Sequence, residues 1–235
     1  MIQYIRLHVV WAHDNQVHIL HLLTCGSGDF LVQPAEPDLL LARLQHHQRL
    51  LEMDQHRDAQ KTVTIIGDSI AMQVVNNQIL QFADSPFPVL IEGASGTGKE
   101  LVARALHENS KRCDEPYLAI NCAAIAPDLL EAQLVGYAKG SFTGASQEHK
   151  GFFMDVGSGT LLLDEIGELP MQLQGKLLRV LESGEFYRIG DTTQLHSQAR
   201  IIASTNKNLR EEIKNENFRN DLYHRLSILN IQLPA

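Results

Sequence analysis

Residues 93–100 have the sequence Gly-Ala-Ser-Gly-Thr-Gly-Lys-Glu and closely follow an apolar run at residues 88–91. Glycines at this spacing let backbone N–H groups converge on a polyphosphate, while a lysine reaches its β- and γ-phosphates. A strand before the segment and an amphipathic helix after it aim the positive end of that helix at the ligand. The pattern predicts a phosphate-binding loop made of Gly93, Ala94, Ser95, Gly96, Thr97, Gly98, Lys99 and Glu100.

From residue 65 onward, helical patterns alternate with short apolar segments, which is typical of a parallel sheet covered on both faces. The predicted fold class is therefore α/β, with a parallel sheet sandwiched between helices. Strands are predicted at residues 89–92, 117–121, 160–163 and 200–204, and helices at residues 70–82, 100–110, 126–135 and 171–183.

Two adjacent carboxylates, Asp164 and Glu165, follow the third predicted strand. An Asp there can hold Mg²⁺ directly or through water, and a following Glu can polarise a water for in-line attack on a γ-phosphate. Adjacent acids on their own are usually solvated surface. Their position at the end of a buried strand, downstream of a phosphate-binding loop, favours a catalytic site.

A loop with the sequence Gly-Ser-Phe-Thr-Gly-Ala lies between these motifs, at residues 140–145. Glycines and small polar residues on both sides make Phe142 a poor core residue, so the loop is suited to presenting this ring to a partner. The alternative is a turn whose Phe packs back onto its own domain. The loop alone favours neither.

The same loop resembles the signature surface loop, Gly-Ala-Phe-Thr-Gly-Ala in most members, of bacterial sigma-54-dependent transcriptional activators, a branch of the AAA+ ATPases. Those proteins also carry Glu after the phosphate-loop lysine, where Glu100 stands here in place of the more general Ser or Thr. The resemblance covers residues 66–234, with further matching motifs in family order at residues 121–124, 163–170, 184–190, 204–206 and 218–226. It implies an AAA+ P-loop NTPase that binds ATP and Mg²⁺, with Asp164 as the metal residue. It also implies that sigma-54 RNA polymerase is bound by Gly140, Ser141, Phe142, Thr143, Gly144 and Ala145, and that residues 184–198 form a second surface loop that moves with this one.

The resemblance assigns roles to two asparagines that end strands. Asn121 resembles the residue that holds the catalytic Glu165 in an inactive orientation until the nucleotide state releases it. Asn206 resembles the first sensor, which hydrogen-bonds the γ-phosphate or the attacking water. The alternatives are a turn cap for Asn121 and a helix cap for Asn206.

Arg219 and Arg225 resemble the two family arginines that reach the nucleotide of a neighbouring subunit, where a guanidinium neutralises charge on the transferred phosphoryl group. We expect both to lie on one helix, where six residues of separation place them about 120° apart. The expected division is that one reaches the γ-phosphate while the other holds the interface or senses the nucleotide. Ordinary surface salt bridges are the alternative.

The two ends of the chain depart from the complete family pattern. Residues 1–50 resemble the last strand and helix of a receiver domain from a two-component system, as a short α/β remnant with Gln33 where lysine is usual. A whole receiver needs on the order of a hundred residues, so we expect no control by phosphorylation. A helical linker is expected at residues 51–65 and the ATPase domain at residues 66–235, with adenine near residues 66–67. We expect this chain to lack the helical lid and the helix-turn-helix DNA-binding domain that follow in the family.

Composition limits the partners and the compartment. Lys and Arg total 20 against 28 Asp and Glu, so the formal net charge of −8 gives no general attraction to nucleic acid. The three cysteines are scattered, and the sequence has no signal peptide or long apolar span. These features predict a cytoplasmic protein with no membrane partner, and the resemblance adds self-association into a ring, usually a hexamer.

Two functions remain open from the sequence. The first is an ATPase module that hydrolyses ATP at the subunit interfaces of a ring and remodels the sigma-54 RNA polymerase complex to open promoters. The second is a truncated, non-enzymatic fragment that binds nucleotide or sigma-54 without productive turnover. ATP turnover discriminates between them.

Overall fold

The computed structural model describes residue 65, residues 69–142 and residues 145–234. These residues belong to one compact unit, residues 61–235. The predicted receiver-like segment, nearly all of the predicted linker and the expected adenine position at residues 66–67 lie outside the described residues. The same is true of Thr143 and Gly144 in the loop that carries Phe142.

A five-stranded parallel sheet forms the centre of this unit, and its spatial order is β2-β3-β6-β1-β7. A separate antiparallel hairpin is formed by β4 and β5. The strands are β1 Val89–Glu92, β2 Tyr117–Asn121, β3 Thr160–Asp164, β4 Glu185–Tyr187, β5 Gln194–His196, β6 Arg200–Thr205 and β7 Leu229–Gln232.

Helices cover both faces of the sheet, as the sequence predicts. They are α1 Ile70–Phe82, α2 Lys99–Glu108, α3 Pro127–Val135, α4 Phe152–Asp155, α5 Met171–Ser183, α6 Leu209–Lys214 and α7 Asn220–Leu226, with a short 3₁₀ turn at Ile166–Glu168. All four predicted strands and all four predicted helices are confirmed, with ends that differ by no more than two residues. Strand β7 and helices α4 and α6 were absent from the predicted elements, and α7 was predicted only as a helix that would contain both Arg219 and Arg225.

The strand β3 shows how the two faces are filled. Its side chains alternate between faces, as in any strand. Leu161 and Leu163 join a core cluster that includes residues of α3, α5 and α7, whereas Leu162 joins a second cluster with α1 and α2. All three leucines are fully buried, and full burial of each contributes about 1.5–3 kcal/mol. The sheet is therefore apolar on both faces, which explains the continuous apolar runs in the sequence.

Parallel pairing brings the carboxyl ends of the strands to one edge of the sheet. Asn121 is paired with Asp164 across β2 and β3, and Glu92 is paired with Thr205 across β1 and β6. In open sheets of this class, ligands bind outside this edge. The phosphate-binding loop, the paired carboxylates and Asn206 all follow strands that end there.

Candidate nucleotide site

The predicted phosphate-binding loop connects β1 to α2. Gly96 and Gly98 have φ values of 81° and 88°, in the left-handed region that glycine adopts without steric penalty. Gly98 is also the N-terminal cap residue of α2. Because the unpaired N–H groups of a helix start point toward the loop, this arrangement can bind a polyphosphate.

Lys99 lies in the first turn of α2 with only 7% of its surface exposed. Its Nζ donates to the carbonyl oxygens of Gly93 and Ala94 at 3.1 and 3.2 Å. The same Nζ is 3.7 Å from Glu165 Oε1. The ammonium group is thus held among acceptors of its own loop, within reach of the predicted catalytic carboxylate.

Glu100 is exposed on the first turn of α2. A carboxylate in that turn interacts favourably with the positive end of the helix. It offers no hydroxyl for a metal, so Asp164 remains the predicted metal residue.

Asp164 ends β3 and receives a hydrogen bond on each carboxylate oxygen. Ser204 Oγ donates to Oδ1 at 2.7 Å, and Asn121 Nδ2 donates to Oδ2 at 2.9 Å. Both donors come from the neighbouring strands, β6 and β2. These two bonds fix the orientation of the carboxylate.

Glu165 has a φ of 52° and is one of only two non-glycine residues with positive φ in the described part of the chain. Such a backbone costs of order 1–3 kcal/mol and is typical of functional positions. Its Oε2 accepts from the backbone N–H of Asn206 at 3.2 Å, while its Oε1 faces Lys99. The carboxylate is therefore held between the phosphate-binding loop and the end of β6.

Asn121 contacts Asp164 in this structure, whereas the resemblance implies contact with Glu165. Its Oδ1 also accepts from the backbone N–H groups of Ala123 and Ala124 at 2.9 and 3.2 Å. The turn cap that the sequence left as an alternative is thus present. The same side chain caps its turn and orients the carboxylate of Asp164.

Asn206 lies directly after β6 and donates its backbone N–H to Glu165. The alternative role, capping the next helix, belongs to Asn208, whose Oδ1 accepts from Arg210 N at 3.2 Å. Asn206 instead borders an open polar cleft of about 520 Å³, which is also lined by Glu92, Gly93 and Asn230.

The two arginines differ in their surroundings, and the prediction that both lie on one helix is wrong. Arg219 is the N-cap residue of α7, with an extended backbone, and the helix begins at Asn220. Its guanidinium is exposed and binds Asp221 through two hydrogen bonds of 3.0 and 2.7 Å. This pair raises the pKa of Arg219 and lowers that of Asp221. Arg225 is helical and donates twice to the carbonyl of Leu181 in α5.

The loop that carries Phe142 combines both sequence alternatives. The ring is 46% exposed, yet it packs edge-on against Tyr137 with 5.0 Å between centroids. The base of the loop is closed by a hydrogen bond from Gly140 N to Ala145 O at 2.9 Å. Phe142 is therefore accessible while its loop is anchored.

The predicted second loop is a hairpin, β4–β5, and it contacts the base of the first. Ala138 N donates to Ile189 O, and Ile189 N donates to Gly136 O, both at 3.0 Å. Gly190 has a φ of 74°, and a Cβ placed on it would lie 2.5 Å from Ser141 Cβ. The two loops are thus joined through their backbones.

Several site residues were missed by the sequence analysis. Ser204 is fully buried and orients Asp164, and Asn230 of β7 donates to Glu92 Oε2 at 2.7 Å. Burial and the nearby Asp164 and Glu165 raise the pKa of Cys122 to about 12, so its thiol stays neutral. A polar residue at the carboxyl end of an apolar strand is the signal that could have identified Ser204.

Two kinds of feature are absent from the described residues. No group of three or more His, Cys, Asp and Glu side chains there could hold a metal ion by itself. None of the helices in the same part of the chain has the length and apolar character needed to span a membrane.

Comparison with protein-family models matches residues 65–232 to the sigma-54 interaction domain. The chain belongs to this family. Its fold is that of an AAA+ P-loop NTPase.

Relatives in this family include regulators of transcription. The DNA-binding transcriptional regulator NtrC of Escherichia coli (strain K12) is 42% identical over 233 residues, which cover 96% of this chain and 49% of NtrC. The transcriptional regulator VasH of Vibrio cholerae is 46% identical over 245 residues, covering 94% of this chain and 46% of VasH. A crystal structure of NtrX from Brucella abortus in complex with ATP matches with a TM-score of 0.67 at 32% identity, covering 97% and 49% of the two chains. The chain thus spans about half the length of these relatives.

Proposed function

We propose that this chain is the ATP-binding and ATP-hydrolysing module of a sigma-54-dependent transcription activator, which remodels the sigma-54 RNA polymerase complex to open promoters. The observation that carries the proposal is the meeting of Lys99, Glu165 and Asn206 beside the phosphate-binding loop, in a chain of the sigma-54 interaction domain family. The crystal structure of NtrX in complex with ATP supports nucleotide binding by this chain.

ATP binding must rearrange the contacts of Lys99. Its Nζ now donates to two loop carbonyls, and a triphosphate offers stronger, charged acceptors to the same group. As Lys99 turns to the phosphates, it moves away from Glu165. The carboxylate then remains on the N–H of Asn206, where it can orient and polarise the attacking water.

Asp164 fits a magnesium residue. Its carboxylate offers hard oxygen ligands and is already oriented by Ser204 and Asn121. Mg²⁺ in NTPases is commonly bound by one or two carboxylates, several waters and the substrate phosphates. When bound, the ion would neutralise charge on the phosphates during transfer.

The remaining stabilisation of charge on the transferred phosphoryl group is assigned to a neighbouring subunit. The subunits would form a ring, which the resemblance implies is a hexamer. Of the two arginines, Arg219 is the better candidate to reach across, because its guanidinium is exposed and is bound, among the described residues, only by the exposed Asp221. Arg225 is bound to Leu181 O of its own subunit and is assigned to holding the interface. Such an arginine is worth about 10³–10⁵ in turnover in related phosphoryl transfers. The role in transcription places the ring in the cytoplasm.

Phe142 is proposed to contact sigma-54. The test is capture of purified sigma-54 by this chain in the presence of ADP and aluminium fluoride, comparing Phe142→Ala with Phe87→Ala. Phe87 is a matched control because 49% of its surface is exposed, against 46% for Phe142. We expect the unchanged chain and Phe87→Ala to capture sigma-54 and Phe142→Ala to lose it. Equal capture by both variants, or none by the unchanged chain, contradicts the assignment.

A further inference from the structure

Gln174 is a fully buried amide in the first half of α5. Its Nε2 donates to Leu169 O at 2.8 Å and to Asn217 O at 2.9 Å. Its Oε1 accepts from the backbone N–H of Arg219 at 2.8 Å. Burial of an amide is unfavourable unless it is hydrogen-bonded, and here both N–H groups and the oxygen have partners.

The three partners of Gln174 belong to two functional segments. Leu169 follows Glu165 by four residues, and the 3₁₀ turn between them is closed by hydrogen bonds from Glu168 N to Glu165 O and from Leu169 N to Ile166 O. Asn217 and Arg219 belong to the segment that leads into α7. One side chain therefore ties the backbone after the catalytic carboxylate to the backbone of the exposed arginine.

We propose that Gln174 is a positioning residue, which fixes the backbone of Arg219 relative to the segment after Glu165. In this way the nucleotide site of one subunit determines the position of the arginine that the same subunit offers to its neighbour. The inference rests on the proposed function and adds a residue that the sequence motifs do not single out.

Arg219 has different surroundings at its base, which is the backbone N–H, and at its tip, which is the guanidinium. At the base, the backbone N–H is bound by a side chain with no exposed surface. At the tip, the guanidinium is bound by Asp221, and both side chains are more than 40% exposed. Exposed ion pairs contribute little and exchange readily with other partners. The guanidinium can therefore leave Asp221 for a phosphate while its base remains fixed.

The test uses rings assembled from a mixture of two variants of the full chain. One variant, the donor, supplies Arg219 to its neighbour, and the other, the acceptor, supplies the nucleotide site that this arginine reaches. The donor carries Lys99→Ala, which disables its nucleotide site and leaves Arg219 intact. The acceptor carries Arg219→Ala, which leaves its nucleotide site intact. Neither hydrolyses ATP alone, and the mixture regains turnover where a donor arginine meets an acceptor nucleotide.

Gln174→Met is then placed on one partner at a time. On the donor, it should lower the turnover of the mixture at least about tenfold, because a misplacement of about 1 Å can cost 10²-fold. On the acceptor, whose own Arg219 is already replaced by alanine, Gln174→Met should leave turnover within about twofold of that of the starting mixture. Such a change is small compared with the loss expected when the substitution is on the donor. The matched control is Gln172→Met on the donor, since Gln172 is an exposed residue of the same helix, and it should leave turnover unchanged. Equal loss from both placements of Gln174→Met indicates a general structural defect and overturns the proposal, as does loss from neither.

A second measurement needs no turnover. Hydrogen exchange of the peptide that contains residues 217–219 should become faster in Gln174→Met than in Gln172→Met, because the Arg219 N–H loses its acceptor. Unchanged exchange overturns the positioning role. If the unchanged chain hydrolyses no ATP, the proposed function fails while the exchange result still decides the role of Gln174. If the unchanged chain is active but the starting mixture is not, the assignment of Arg219 to the neighbouring site is wrong, and the proposal falls with it.

Discussion

Ser204 shows, at the scale of single residues, how buried partners prepare the site. Its hydroxyl donates to Asp164 from the adjacent strand, and both strands are held in register by the parallel ladder. Ser204→Ala removes one of two side-chain donors to this carboxylate. Because a hydrogen bond to a charged group is worth about 1.5–3 kcal/mol, we expect a comparable fall in the free energy of unfolding in urea. We also expect a higher Mg²⁺ concentration for half-maximal ATP turnover.

The control for this variant is Ser146→Ala, since Ser146 is exposed. A substitution there should change the free energy of unfolding by no more than about 0.5 kcal/mol. If Ser204→Ala matches the control in both measurements, the orienting role of Ser204 is wrong.

His107 gives a pH dependence that belongs to the same scale. It is 4% exposed, and its Nδ1 lies 3.0 Å from Thr160 Oγ1. Burial, aided by Arg200 and Arg104 and opposed by Glu108, lowers the pKa of His107 from its ordinary value of 6.5. Because the unfolded chain then binds a proton more readily, this contribution to stability is present above pH 6.5 and is lost as the pH falls below it.

The measurement is urea unfolding at a series of pH values between 7 and 5, with His107→Gln for comparison. The unchanged chain should lose stability more steeply below pH 6.5 than the variant does. Equal slopes, or a steeper slope for the variant, contradict the account.

The sequence predicted the chemical residues of the site better than it predicted their contacts. Asp164 and Glu165 stand in a recognisable pattern, but the turn of Asn121 toward Asp164 depends on the register between β2 and β3. The role of Gln174 could not be predicted from the sequence for a related reason. A glutamine in an amphipathic helix is usually solvated. Gln174 is buried because the backbone of residues 217–219 passes beside it and supplies hydrogen-bond partners.

At the scale of elements, the contact between the two surface loops is the feature most open to test. Gly190 combines a positive φ with close approach to Ser141. Gly190→Ala introduces backbone strain of roughly 1–2 kcal/mol for a residue with a Cβ, together with a clash that pushes the loops apart. We expect open-complex formation with sigma-54 RNA polymerase to fall much more than ATP turnover does. Gly157→Ala is the control, because φ is 56° there and a Cβ would have free space. Equal losses of the two activities in Gly190→Ala would argue against coupling between the loops.

The elements themselves were predictable where burial alone determines them. Strands β1, β3 and β6 are apolar on both faces and lie inside the sheet, so their sequences are unambiguous. Strand β7 was missed because it is short and only Ile231 among its four residues is fully buried. Its pairing with β1 is set by the fold and not by local preference. The start of α7 after Arg219 was missed for the same reason, since Gln174 fixes that backbone from another helix.

For the whole molecule, the proposed function makes ATP hydrolysis a property of an assembly. The nucleotide, Glu165 and Asn206 belong to one subunit, whereas the proposed Arg219 contact comes from its neighbour. A subunit alone therefore has an incomplete site. Its turnover should depend on how much of the protein is assembled.

The most direct test of this claim is ATP turnover per subunit, measured over a range of protein concentrations in which assembly is followed by sedimentation. Turnover should rise with concentration in parallel with assembly. Glu165→Gln should abolish turnover, and Arg219→Ala should lower it by about 10³-fold or more, as expected for an arginine supplied in trans. No turnover at any concentration, or a constant rate per subunit in a protein that sediments as a monomer throughout, would contradict the account.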